Sequence, residues 1–127
     1  MISAIPTAQT EIWHKDYNLD KKDNLSQLPH EAAVFGVFAI VHDQPVNCRY
    51  IGSTDDLQSA IKALFEEPPG PGLKKFMQGP WIQLLSFELM PGATVEERQK
   101  VREEWTRKYQ PAIDEDGGYP GYYGNGK

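Results

Sequence analysis

A chain of 127 residues is long enough for one domain with a single core and leaves little room for a second. Hydrophobic residues make up 39% and charged residues 24%, a balance that sets aside the disordered and collagen-like classes, and no apolar run approaches the roughly 20 residues that span a bilayer. The net charge of −5 does not come from one acidic tail: residues 1–30, 31–112 and 113–127 carry −1, −2 and −2, so no segment offers the basic excess on which binding to a phosphate backbone depends.

Residues 1–32 read as an N-terminal arm, polar and broken by Pro6, Asn18, Asn24 and Pro29. Its apolar residues Ile12, Trp13, Tyr17 and Leu19 are costly to leave in water, so the arm is expected to pack on the domain or on a partner, with Trp13 and Tyr17 as candidate anchors. Residues 34–41 are almost wholly apolar and rich in β-branched and aromatic types, the pattern of a buried central strand. A turn at Asp43-Gln44-Pro45 leads into a second strand over residues 47–52, which makes a hairpin. The only cysteine, Cys48, falls inside that strand and reads as a small packed residue rather than a nucleophile.

Leu57, Ala60, Ile61, Leu64 and Phe65 recur at helical spacing and predict a helix with one apolar stripe, capped by Asp55 or Asp56. Pro68-Pro69-Gly70-Pro71-Gly72 stops it, residues 73–77 form a short helical turn, and residues 81–89 read as a third strand. Thr94 and Glu97 make a capping box that opens a helix running to Tyr109, with Val101 and Trp105 toward the core and Pro111 beyond its end. Residues 113–127 form a glycine-rich tail whose Tyr119, Tyr122 and Tyr123 are candidate partner-binding residues. The three histidines, at 14, 30 and 42, stand alone in the sequence and form no metal-spaced cluster.

Gly36-Val37-Phe38, followed by Tyr50-Ile51-Gly52-Ser53-Thr54, resembles the paired signature of the GIY-YIG nuclease family, and the order strand, strand, helix, strand, helix over residues 33–112 is similar to that family's arrangement. The resemblance implies an α/β (α+β) fold, a small GIY-YIG-like domain whose three-stranded, largely antiparallel sheet is flanked by helices. In active members of that family two tyrosines position and activate water, a helix arginine stabilises phosphate charge, and a glutamate on the last helix holds a divalent metal ion. In this chain the first tyrosine is replaced by Phe38, the places of the arginine and of a usual histidine hold Ala60 and Leu64, and the glutamate's place falls on Arg102 or, with a slip of one, on Glu103. The chain is therefore similar to a catalytically degenerate member, for which no catalytic residue, no metal and no cofactor is expected.

Three functions remain open. The first is a non-catalytic module that binds a protein partner or scaffolds a complex, favoured by the sealed helix face, the acidic balance and the aromatic ends. The second is a nucleic-acid-binding pseudo-nuclease with weak affinity. The third is a divalent-metal-dependent endonuclease with an atypical site, in which Arg49 or Lys62 replaces the missing arginine. The expected location is the cytoplasm or the equivalent compartment of an organelle, without membrane insertion.

Overall fold

The computed structural model describes residues 8–17, 22–41, 44–79 and 82–112. It is a mixed α/β structure built on one antiparallel sheet of four strands, β1 (Ala8–Ile12), β2 (Ala33–Val41), β3 (Gln44–Thr54) and β4 (Gln83–Leu89), in the order β1-β4-β2-β3. The central strand β2 sends Ala33, Phe35, Val37 and Ala39 to one face and Val34 and Phe38 to the other. Both faces are covered, which is why its sequence is a continuous apolar run instead of an alternating one. Helices α1 (Leu57–Glu66) and α2 (Pro71–Met77), with a 3-10 turn at Leu25–Gln27, share the first core. Helix α3 (Val95–Tyr109) packs on β2 and β3 across the second face.

The helices form for local reasons. Asp56 caps α1 by accepting the Ser59 amide at 3.1 Å, and the amides of Leu57 and Gln58 donate to the carbonyls of Glu31 and Pro29, so the first turn keeps no orphan pair there. Leu57, Ile61, Leu64 and Phe65 are buried from α1, each such side chain stabilising the fold by about 1.5–3 kcal/mol. Ala60, expected within that stripe, is only half-buried, because it sits at the stripe's border. Helix α2 begins two residues earlier than the sequence pattern predicts: Pro71 occupies the first turn, where a missing amide costs nothing. The capping box of α3 is present, with the Thr94 hydroxyl accepting the Glu97 amide at 3.1 Å and the Glu97 carboxylate accepting the Thr94 amide at 2.8 Å.

The expectation of three strands is corrected to four. Residues 8–12 pair with β4 from Ala8↔Phe87 to Ile12↔Gln83, and Ile12, Leu25 and Leu28 lie in the same core as β2 and α1. A strand at the rim of a sheet buries little of itself, and here only Ile12 is buried, so the segment shows no hydrophobic period from which a strand could be read. The turn expected at Asp43-Gln44-Pro45 is corrected in part: Gln44 and Pro45 already pair with Val41 and Ile40, so the second strand runs over residues 44–54 and not only 47–52. Residue 43, the strand start expected at Trp81 and the whole tail with Tyr119, Tyr122 and Tyr123 lie outside the described residues. After α3, Gln110 takes a left-handed conformation (φ 48°), and the Ala112 amide donates to the Cys48 carbonyl at 3.0 Å, which ties the chain to β3.

Candidate functional site

The positions corresponding to the nuclease signature are fixed by the hairpin of β2 and β3. Their register runs Val37↔Tyr50, Phe38↔Cys48, Ala39↔Val46, leaving Arg49 and Asn47 without opposite residues. A bulge of this kind offsets the alternation of side chains. Cys48 consequently joins the core of α3, while Tyr50, opposite Val37, joins the core of α1 and α2, its ring 6.3 Å from that of Phe35. Phe38 lies on the α3 side as well, edge-on to Tyr109 at 5.4 Å.

The sheet therefore separates the set. Tyr50 and the buried Leu64 belong to the core on one face, with Ala60 half-buried at its border; Phe38 packs on the other face, where Arg102 sits half-buried on α3. The two glycines of the signature serve close packing. A Cβ on Gly52 would meet Phe35 Cζ at 2.7 Å, and one on Gly36 would meet Phe38 Cε1 at 3.2 Å and Trp105 Cε3 at 3.7 Å. Val37 and Ile51 are buried on opposite faces. Arg49, turned out of register by the bulge, stands with its guanidinium carbon 5.5 Å from the centre of the Phe76 ring. Burial pushes the Cys48 thiol up to about 12, so it stays protonated and unreactive.

Polar chemistry is gathered elsewhere, at residues not singled out from the sequence. His14 is 1% exposed, and its ring lies 5.0 Å from Tyr17 and 5.4 Å from Phe65. Its Nδ1 accepts the Asp16 amide at 3.0 Å, which leaves the ring proton on Nε2, and Nε2 donates to the Glu66 carboxylate at 2.8 Å. The Asp16 carboxylate, 4.0 Å from Nδ1, is outside hydrogen-bond reach. The bond from His14, aided by Lys62, holds the Glu66 carboxyl below its ordinary range. Above this pair lies a cleft of about 280 Å³, walled by Gln58, Lys62 and Glu66 on one stripe of α1 and by Lys15, Asp23 and Ser26 opposite. Both ring nitrogens of His14 are engaged, so the ring holds the chain together and offers no lone pair to a substrate.

Of the anchor candidates, Tyr17 stacks on Phe65 at 6.3 Å and receives the Gln78 amide at 3.4 Å, so its ring is committed to the protein's own α1 and α2. Trp13 is half-buried. Gln83, fully buried on β4, donates from Nε2 to the carbonyls of Phe76 (3.0 Å) and Met77 (3.3 Å) at the end of α2. No group of three His, Cys, Asp or Glu side chains among the described residues is arranged to hold a metal ion, and no helix among them is long and apolar enough to cross a membrane.

Comparison with protein-family models, with curated proteins and with solved structures yields no match.

Proposed function

We propose that this chain is a non-catalytic α/β module that works by binding a protein partner within a larger complex, on a GIY-YIG-like framework whose chemistry has been lost. One observation carries the reading: Phe38 and Arg102 lie on the opposite side of the sheet from Tyr50 and Leu64, so the four positions share no cavity in which a phosphodiester and a metal ion could meet. Hydrolysis of that bond needs preorganised charge at one point, and losing a single such donor typically costs about 100- to 1000-fold. The acidic balance in all three segments, residues 1–30, 31–112 and 113–127, supports a protein partner over a nucleic acid. The test is a pull-down with the full chain from native extract, with and without nuclease treatment. A partner retained after the treatment is expected; one that is lost with it transfers the function to nucleic-acid binding.

A further inference from the structure

Among the described residues, the one from outside β1 that bonds to the outer edge of this strand is Asn24. Strand parity shows which groups lie there. The Ile40 amide donates to the Ile82 carbonyl at 3.0 Å, so even-numbered residues of the β4 chain bond toward β2, odd-numbered ones bond toward β1, and Gln9 and Glu11 direct their peptide groups outward. Asn24 meets that edge with three hydrogen bonds. Its Nδ2 donates to the Glu11 carbonyl at 2.7 Å, its Oδ1 accepts the Trp13 amide at 2.9 Å, and its own amide donates to the Trp13 carbonyl at 3.2 Å. One side-chain amide and one peptide group thus imitate a partner strand over residues 11–13. Asp23 steadies the plug by accepting the Lys15 and Leu25 amides at 3.2 and 2.9 Å. Short of Asn24, and among the described residues, Gln9 is exposed on this edge, and a crevice of about 190 Å³, lined in part by Gln9, Thr10, Asn24 and Phe87, runs beside it.

An uncovered strand edge is a template for another strand. We propose that Asn24 is a plug that keeps β1 from pairing with β1 of a second copy of this chain, and that withdrawing it joins two four-stranded sheets into one. The strand's own sequence selects that occupant. In an antiparallel pair centred on Thr10, the two Thr10 side chains face each other and each Gln9 faces a Glu11, which puts a hydroxyl pair at the centre and no like charges opposite. Centring on Glu11 would oppose two carboxylates, so the register is set by charge as well as by the outward parity of residues 9 and 11. The pairing is isologous and closes on itself, as a twofold contact must. This inference stands apart from the partner-binding reading and survives its failure.

The test uses the full chain and reads mass by sedimentation velocity over a range of concentrations, with melting curves to establish folding. Asn24→Ala removes both side-chain bonds. Asn24→Ser keeps a hydroxyl for the Trp13 amide but is too short for the Glu11 carbonyl. Both variants are expected to shift from the wild-type mass toward twice that mass as concentration rises, and adding Gln9→Pro, which deletes an outward amide, should return them to the wild-type mass. A folded Asn24→Ser that keeps the wild-type mass throughout overturns the proposal. So does a dimer that Gln9→Pro leaves intact, which would pair through another surface, and so does failure of both variants to fold, which would make Asn24 a brace instead of a plug.

Discussion

His14 and Glu66, 52 residues apart in the chain, meet at 2.8 Å with the imidazole proton directed to the carboxylate. This bond fastens the segment after β1 to the last turn of α1, and Phe65, with Tyr17 stacked on it and the His14 ring tilted against it, closes the same corner with apolar contact. His14→Ala empties a buried aromatic site and is expected to cost about 2–4 kcal/mol in chemical denaturation. Wild-type stability in that measurement would assign the corner no structural weight.

The same bond has a pH signature. The Glu66 carboxyl sits below its ordinary value of 4.5, so its contribution is fully present above that value and is lost as pH falls through the folded value. Asp56, depressed by the Ser59 amide and then by His30, acts in the same direction. Melting temperatures measured from pH 6 downward should fall less steeply for Glu66→Gln than for the wild-type chain. Parallel curves would contradict the assignment.

Gly52 lies under the Phe35 ring so closely that a methyl group cannot enter without moving it. Gly52→Ala should destabilise by about 1–3 kcal/mol through overpacking. Phe35→Leu in the same chain should relieve part of that loss, and a double-mutant cycle with no coupling would show that the two residues do not conflict.

Gln83→Glu places a carboxyl group against the carbonyl oxygens of Phe76 and Met77 in a fully buried site. Only the protonated acid can donate there, so the variant's folded pKa is raised above the unfolded value. It should approach wild-type stability in acid and lose more than about 3 kcal/mol as pH rises past the ordinary carboxylate range. A pH-independent loss would point instead to a change of shape.

Installing the residues of the nuclease pattern is not expected to create a nuclease. The quadruple variant Phe38→Tyr, Ala60→Arg, Leu64→His, Arg102→Glu still divides its groups between two faces of the sheet, and plasmid nicking with magnesium or manganese should stay at background. Ala60→Arg alone should change stability by less than about 1 kcal/mol, since a half-buried position lets the long side chain reach water. Metal-dependent nicking by the quadruple variant would revive the endonuclease reading.

The parts of the fold legible in the sequence are those written in local pattern. The Thr94-Glu97 box, the apolar run of β2 and the spacing of Leu57, Ile61, Leu64 and Phe65 each depend on neighbours within a turn or a strand, and each lies where it was expected. β1 was hidden because its partner lies about 75 residues on and only Ile12 of its five residues is buried. The division of Cys48 from Tyr50 was hidden because a bulge shifts parity by one residue, and nothing in Cys48-Arg49-Tyr50 announces it, whereas Phe38 lies across the sheet from Tyr50 simply because it follows Val37, the residue opposite Tyr50. His14 looked isolated for the same reason as β1: the residue that gives it meaning, Glu66, is distant in the chain.

The bond from Ala112 to Cys48 fixes more than the end of α3. With β1 at one rim of the sheet and β3 at the other, the chain enters its described part on one side and leaves it on the far side, three strand spacings or about 14 Å away. Something that grips the residues after Ala112 and something that adds to β1 do not compete for space. Occupied at both rims, the molecule would serve as a two-ended connector, its hydrogen-bonded sheet carrying load from one end to the other.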